Sequence, residues 1–301
     1  MRDMFWRCVV MKTSLKGLLL VAISGIVFGI MPSTVKYCYS QGATPSLVLI
    51  SRSVLFQIIL TPIVLRKKNT WPLLRQTWPK YVLLALSGTG TPLLLFMAYK
   101  YLSTGMTTTI HFLYPAIVAL ICAVFFREKL SRSKGIALLL CFLGIILMMD
   151  TSEQMLSITG ILIALASSIT WALYIILLDR FDLKGASSEQ IMYFTGISSI
   201  VMMFLFGMVR GDFTVSVTPI GWVAIAASNI FISVFGSLFF IIGVKHTDAQ
   251  VSAIASTLEP IASILIGVLF LHEAVTARIA IGCVLILSAV ILLALRGDKE
   301  T

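Results

Sequence analysis

The 301 residues are 58% hydrophobic and only 12% charged, with a mean hydropathy of +1.01, whereas soluble domains average about 45 to 50% apolar and about 25% charged residues. This composition excludes a water-soluble globular protein and leaves no room for a sizeable soluble domain beside the apolar segments. The formal charge of +10 does not indicate nucleic-acid binding, because the basic residues lie in short connections between apolar runs.

Ten apolar runs follow one another along the chain, each long enough to cross a bilayer as a helix. They extend over residues 16–39, 45–65, 81–101, 105–126, 133–149, 158–178, 188–209, 219–244, 251–271 and 277–295. The connections are short, so consecutive helices are expected to be antiparallel neighbours within one unit. The sequence therefore predicts an all-α membrane protein with ten transmembrane helices.

Lysine and arginine residues are distributed unevenly among the connections. If the N-terminus is cytoplasmic, 18 of the 23 lie in inner segments and 3 in outer segments. Positive charge concentrates on the cytoplasmic side of membrane proteins. Both termini are therefore predicted to be cytoplasmic, in the plasma (cell inner) membrane, and the bias supports ten spans because a missed helix would mix the two sets.

The two halves of the sequence resemble each other. A shift of 145 residues matches Lys100 with Lys245, Leu113 with Leu258, Pro115 with Pro260, Phe125 with Phe270 and Glu128 with Glu273. A shift of 143 residues matches Gly17 with Gly160, Ser24 with Ser167 and Phe28 with Trp171. Five helices in each half reverse the orientation of the second, which predicts an inverted-topology repeat of residues 1–150 and 151–301, with a solute site near the membrane midplane.

The matched segments carry recognisable motifs. Residues 99–115 read YKYLSTGMTTTIHFLYP and are followed by an apolar run and REKL, and residues 243–260 read GVKHTDAQVSAIASTLEP and lead to LHEAV. This pattern resembles the EamA domain of the drug/metabolite transporter superfamily. The resemblance implies ten helices with an inverted pseudo-twofold axis and transport of small metabolites, commonly amino acids or related compounds. The halves differ where His246 replaces Tyr101 and where Glu259 replaces Tyr114.

Glu259 is the deepest acid in the sequence, roughly 15 Å into the predicted ninth helix at 1.5 Å per residue. Ser252 and Ser256 share its helical face, so the stripe is expected to face protein or water. A charged group at the bilayer centre costs about 2.5 to 3.5 kcal/mol on insertion scales. Glu259 is expected to bind an amino or cationic group or to take up a proton in coupled transport; the alternative is a structural hydrogen bond.

The first half presents a matching face on its fourth predicted helix. Under the 145-residue shift, Thr107, His111 and Tyr114 take the positions of the serine and glutamate stripe. His111 either contacts the solute or a proton, or it is a satisfied hydrogen-bond donor between helices.

Aromatic and soft side chains form a second pair of matching stripes on the first and sixth predicted helices. Either they line a slot for an apolar part of the solute, or they pack against one another. The matched positions are Ser24 with Ser167, Phe28 with Trp171, and Met31 with Tyr174.

Arg52 lies roughly 10 Å deep in the second predicted helix. It either meets a carboxylate of the solute or an acid, or extends to the outer interface. Glu128 is expected to cap the next helix or to pair with Lys129 or Arg132. Gly25 and Gly29 form a G-x-x-x-G motif that predicts close helix packing.

The sequence contains no motif of a hydrolase nucleophile, a zinc protease or a phosphate-binding loop, which favours a protein that is not an enzyme and needs no cofactor or metal. The leading hypothesis is a secondary transporter of small organic metabolites, an exporter of amino acids or related amines by alternating access. A channel-like facilitator and a non-transporting signalling or scaffold protein are the alternatives. The expected partners are the solute and membrane lipid, and dimerisation stays open.

Overall fold

The computed structural model describes residues 14–67, 70–98, 101–102, 104–128, 130–148, 157–181, 183, 186–210, 216–271 and 276–296. Within these residues the chain is helical and forms no β-strand. Glu273 and Lys129 of the sequence analysis lie outside the described residues.

The described residues of the first half form seven helical segments. They are α1 (Leu15–Gly29), α2 (Met31–Ser40), α3 (Pro45–Leu65), α4 (Thr70–Ala98), α5 (Thr104–His111), α6 (Tyr114–Phe126) and α7 (Arg132–Met148). Several begin with a side-chain cap: Ser14 accepts a hydrogen bond from the amide of Gly17, and Thr44 from that of Leu47. Such caps satisfy amides that have no partner inside the helix.

The second half contains seven α-helical segments and one π-helical segment. They are α8 (Ile158–Arg180), α9 (Ser188–Arg210), α10 (Pro219–Ser228), π1 (Asn229–Gly236), α11 (Ser237–Val244), α12 (Ala249–Ala255), α13 (Leu258–Leu271) and α14 (Ala277–Arg296). Seven helical stretches of the described residues are long and apolar enough to cross a membrane: Ser46–Leu65, Thr107–Phe126, Ile158–Arg180, Ser188–Met208, Pro219–Val244, Ala249–Ile266 and Ala277–Leu295.

Three of the predicted spans are interrupted rather than continuous. The first separates into α1 and α2 at Ile30, the fourth into α5 and α6, and the ninth into α12 and α13. Each later segment has a proline at its first positions, namely Pro32, Pro115 and Pro260. Proline lacks an amide hydrogen and clashes with the carbonyl of the preceding turn, so it starts a helix more easily than it continues one.

The first helix of each half packs against the other half. Helix α1 lies against α11, α12 and α13, whereas α8 lies against α4, α5 and α6. The pairs α3 with α9 and α7 with α14 also join the two halves. The halves therefore form one body through exchanged helices and are not two separate bundles.

The G-x-x-x-G motif of α1 makes the predicted close contact. A Cβ atom on Gly29 would lie 2.5 Å from the carbonyl oxygen of Glu259, and one on Gly25 would lie 3.2 Å from that of Ser256. Helix α1 therefore approaches the backbone of α12 and α13 at the position where the predicted ninth span is interrupted.

Candidate solute site

A pocket lies between the halves in the middle of the helix bundle. It has a volume of about 690 Å³, counting the part that is open to its surroundings. Helices α1, α3, α4, α8, α9 and α11 contribute its walls. Its lining includes Phe28, Arg52, Phe56, Thr89, Trp171, Tyr174, Ser199, Ser237 and Phe240.

Aromatic rings form one wall of this pocket. Trp171 stacks on Tyr174 and on Phe240 with ring centroids 5.3 Å apart in both pairs. Tyr174 and Phe240 stack at 6.0 Å, and Phe28 meets Trp171 edge to face at 6.5 Å. Offset-stacked and edge-to-face pairs are favourable arrangements, so this wall is a rigid apolar surface.

Arg52 is the cation of the pocket. Its guanidinium lies 5.8 Å from the ring centroid of Phe56 and donates a long hydrogen bond of 3.5 Å to the hydroxyl of Ser237. In the part of the chain that the structure describes, no carboxylate lies within 4 Å of it. An ion pair with a described acid therefore does not account for its position.

Hydroxyl groups face the arginine from α4 and α9. The hydroxyls of Thr89 and Ser199 hydrogen bond to each other, and Thr195 lies on the same face of α9. No aspartate or glutamate is among the described residues that line the pocket. The pocket therefore combines one positive charge, several neutral hydrogen-bonding groups and an aromatic wall.

The repeat extends to the pocket lining. The lining residues of α3 are Leu49, Arg52, Ser53 and Phe56, and those of α9 are Met192, Thr195, Gly196 and Ser199. Each residue of the first set is 143 positions before its counterpart in the second. The same shift therefore relates the two sets, and the cation has a neutral threonine as its counterpart.

Tyr114 and His111 lie behind the aromatic wall rather than in the pocket. The ring of Tyr114 meets Trp171 edge to face at 6.4 Å, and the Nδ1 atom of His111 lies 3.0 Å from the hydroxyl of Ser167. The hydroxyl of Tyr114 is buried without a hydrogen bond of standard geometry. Ser168 donates to the carbonyl oxygens of Ile110 and His111, at 2.6 and 2.8 Å, and so satisfies acceptors that the interruption after α5 leaves free.

Glu259 lies in the first turn of α13. Among the described residues it has no ion-pair partner within 4 Å and no hydrogen bond to its carboxylate. The expected structural hydrogen bond to a neighbouring helix is therefore not seen in the described residues. Glu259 is not among the residues that line the pocket.

Most of the other hydroxyl residues that were predicted as site residues form hydrogen bonds within the fold. Ser24 donates to the carbonyl oxygen of Gly236 at 2.8 Å, Ser252 shares a hydrogen bond with Thr247, and Ser256 donates to the carbonyl oxygen of Ser252. Thr107 is buried with its hydroxyl unpaired among the described residues. Of the twelve residues predicted from sequence, the structure places Phe28, Arg52, Trp171 and Tyr174 at the pocket and the other eight in the surrounding helices.

Comparison with known proteins decides the family. The model of the EamA-like transporter family matches residues 15–150 and 158–295, so two copies of one unit cover nearly the whole chain. The chain belongs to the EamA-like transporter family. This membership, within the drug/metabolite transporter superfamily, makes the protein an integral membrane transporter rather than an enzyme, built from two repeats.

Relatives of this EamA-like transporter are known in bacteria and archaea. The chain is 27% identical to the uncharacterized transporter YvbV of Bacillus subtilis over 75% of each protein, and 24% identical to YyaM of the same organism over 81% of each. An uncharacterized transporter of Archaeoglobus fulgidus is 25% identical over 91% of this chain and 96% of its own length. A solved crystal structure superimposes with a TM-score of 0.76 and 20% identity, over 94% of this chain and 99% of the other. At that identity the likeness shows the fold alone.

Sequence analysis did not identify several pocket residues of the EamA-like transporter. Phe56, Thr89, Ser199, Ser237 and Phe240 are ordinary apolar or hydroxyl residues of apolar helices, and nothing in their local sequence separates them from packing residues. The 143-residue shift would have led from Arg52 to Thr195, and from there to Ser199 one helical turn later, once Arg52 was known to line the pocket. No feature of the sequence marked Phe56, Phe240 or Ser237 as a pocket residue.

Proposed function

We propose that the protein is a secondary transporter of small organic solutes with ten transmembrane helices in two inverted repeats, residues 1–150 and 151–301, and that it works by alternating access. The interrupted helices α5–α6 and α12–α13 support this, because discontinuous helices at corresponding positions of two halves are typical of carriers with a central site. The charge bias places both termini in the cytoplasm, and the family resemblance favours export across the plasma membrane.

The solute site is the central pocket, and Arg52 is the observation that carries the proposal. An arginine without an acidic partner inside a membrane protein is costly unless a ligand or a water-filled cavity compensates its charge. Guanidinium groups bind carboxylates through two parallel hydrogen bonds. The solute is therefore a small carboxylate, and its apolar part lies on the wall formed by Trp171, Tyr174 and Phe240.

This pocket changes the leading solute among those that the sequence suggested. Amino acids keep the carboxylate that Arg52 requires, and the hydroxyls of Thr89 and Ser199 can accept hydrogen bonds from an ammonium group. Simple amines lack the carboxylate and would bring a positive charge next to Arg52. Amino acids and related organic acids are therefore the proposed solutes, ahead of amines.

Three ligands that share a phenyl ring test the solute class. Phenylalanine, phenylpropionate and phenylethylamine carry both charged groups, only the carboxylate and only the ammonium, respectively. Binding to the purified protein is expected for the first two and not for the amine. Charged hydrogen bonds contribute about 1.5 to 3 kcal/mol, so Arg52→Gln should weaken binding by about tenfold to a hundredfold.

Two further variants serve as comparisons in this experiment. Arg52→Lys keeps the charge but loses the planar pair of donors, so it should bind more weakly than the native protein and more tightly than Arg52→Gln. Arg75→Gln removes an exposed arginine of α4 and should leave binding unchanged. Equal binding of the amine and the acid, or full binding by Arg52→Gln, would contradict the proposed site.

Counterflow in liposomes distinguishes a carrier from the other classes. A carrier exchanges labelled for unlabelled solute with saturation, whereas a channel-like facilitator conducts without saturation. A signalling or scaffold protein produces no flux of any solute. Saturable exchange of an organic acid is the expected result.

A further inference from the structure

Carboxylates of the described residues are concentrated at one end of the bundle. Five lie in the described part of the chain, and Glu259 is the one near the middle. The other four lie where α6 and α8 end and where α9 and α12 begin: Glu128, Asp179, Glu189 and Asp248. We call this end, which also contains Ser14, the charged end.

The first group of charges joins α6 and α7 to α8 and α12. The guanidinium of Arg180 pairs with the carboxylate of Glu128, which also accepts a hydrogen bond of 2.9 Å from the side chain of Gln250. Lys134 pairs with Asp248 at 2.9 Å. The partner of Glu128 is thus Arg180, 52 residues away, and not the neighbouring Arg132 that the sequence suggested.

The second group joins the end of α3 to the start of α9. Lys67 pairs with the carboxylate of Glu189 at 2.8 Å and donates to the hydroxyl of Ser187 at 2.7 Å. Lys245 lies in the same group and donates to the carbonyl oxygen of Ala186. Its burial lowers the pKa of Lys245, while the charge of Glu189 acts in the opposite direction.

Three ion pairs therefore have one partner in each half of the chain: Lys67 with Glu189, Lys134 with Asp248, and Arg180 with Glu128. All ion pairs between described residues lie at the charged end. At the opposite end the described contact between the halves is neutral, because the amide and the hydroxyl of Thr218 both donate to Gln41.

The repeat places uncharged residues at the positions of the opposite end that correspond to one member of each pair. The shifts that relate the halves place Asp248 on Ser103, Arg180 on Tyr37 and Glu189 on Ser46. An inverted repeat would close its other end with these equivalent positions. Since none of the three is charged, closure there gains no equivalent ion pairs.

We propose that two of these ion pairs, Lys67 with Glu189 and Lys134 with Asp248, form a latch that keeps the charged end closed and biases the resting transporter toward the state that opens at the opposite end. Opening the charged end separates both pairs. The pair of Arg180 with Glu128 is not part of the latch, because α8 packs against α6 and moves with it. The latch rests on the alternating-access part of the proposed function but not on the choice of solute.

Cysteine labelling from each side of the membrane tests the latch without any solute. In a variant without the native cysteines, Ser53→Cys places one thiol in the pocket. A membrane-impermeant maleimide is then applied to vesicles of either orientation, and Arg66→Cys in a parallel sample reports which side the charged end faces. Glu189→Gln and Asp248→Asn remove one charge each, and asparagine can still cap α12 as Asp248 does.

Each neutral variant is expected to increase labelling from the charged end and to decrease it from the opposite end. Exposed or partly exposed pairs contribute little, so the change should be about two- to fivefold for each pair. Exchanging the charges in Lys67→Glu with Glu189→Lys should restore the native rates. Arg66→Gln, which removes the exposed charge next to Lys67, should change neither rate.

Two results would overturn the latch. Unchanged labelling from both ends in the neutral variants would mean that the pairs do not affect the conformational equilibrium. Increased labelling from both ends would mean that the pairs only hold the fold together. Because labelling needs no ligand, a wrong solute assignment would show in the binding experiment and leave this one unaffected.

Discussion

Arg52 and Glu259 are charged side chains inside the bundle, and they differ in their surroundings. Arg52 lines the pocket together with hydroxyls and aromatic rings, whereas Glu259 lies in the first turn of α13, outside the pocket lining. A ligand in the pocket can reach the arginine directly. It can affect the glutamate only indirectly, as through a movement of α13.

Glu259 is therefore proposed as a coupling residue rather than a solute ligand. If it carries the coupled proton, Glu259→Gln should abolish the dependence of the transport rate on an imposed proton gradient, because the amide takes up no proton. Transport into liposomes with and without a pH gradient measures this. Glu259→Asp keeps the carboxyl group and should keep the dependence; a native pH dependence in Glu259→Gln would exclude the role.

Removing the side-chain hydroxyl is expected to have opposite effects on stability at Tyr114 and at Ser168. The Tyr114 hydroxyl is buried without a hydrogen bond of standard geometry, so Tyr114→Phe should leave the thermal unfolding midpoint unchanged or raise it. Ser168 satisfies two carbonyl oxygens, and buried groups left unsatisfied cost about 1 to 3 kcal/mol. Ser168→Ala should therefore lower the midpoint measured in detergent, and a smaller loss for Ser168→Ala than for Tyr114→Phe would contradict this account.

At the scale of helices, the contact between α1 and α13 depends on the absence of a side chain at Gly29. The Cβ of Gly29→Ala would lie 2.5 Å from a backbone oxygen and 2.6 Å from the Cβ of Ala262. Neither atom belongs to a flexible side-chain end, so the helices must separate. The substitution should destabilise the protein by roughly 1 to 3 kcal/mol.

Gly90 of α4 offers a matched control for this prediction. The nearest atom to its added Cβ is 4.0 Å away, and alanine favours a helix over glycine by about 1 kcal/mol. Gly90→Ala should therefore keep or raise the unfolding midpoint. If both alanine variants behave alike in thermal unfolding, close packing of α1 is not what Gly29 provides.

At the scale of the whole molecule, the exchange of α1 and α8 between the halves couples their positions. Helix α1 follows the motion of α11 to α13, and α8 follows that of α4 to α6. Since Phe28 and Trp171 stand on these two exchanged helices and both line the pocket, movement of one half against the other changes the pocket itself. Such movement would be the physical basis of the proposed alternating access.

The proposed inverted arrangement predicts where reporters on the chain are exposed. With five spans in each half and the N-terminus in the cytoplasm, as the charge bias predicts, the connection between the halves would lie outside and both termini inside. A reporter that is active only outside the cytoplasm should work when inserted near residue 152 and fail at the C-terminus. A reporter that fluoresces only in the cytoplasm should give the reverse pattern. If a reporter is active at both insertion sites, the two sites lie on the same side of the membrane, which would contradict five spans per half.

The sequence by itself determined the family, the helical membrane fold and the two repeats, because hydrophobicity, charge bias and internal similarity are properties of the chain in order. It also predicted that Arg52, Phe28, Trp171 and Tyr174 were candidate site residues and that Gly25 and Gly29 were contact positions. These residues stand out locally as a charge, aromatic rings or glycines inside apolar helices.

Only the tertiary structure decided which of the candidates share a pocket. It exchanges the first helix of each half, interrupts the helices before Pro115 and Pro260, and leaves Glu259 outside the pocket that Arg52 lines. It also brings together residues as distant in sequence as Lys67 and Glu189. Such contacts depend on how helices cross and rotate, and a hydrophobic pattern constrains these variables weakly because lipid-facing and buried apolar side chains look alike in sequence.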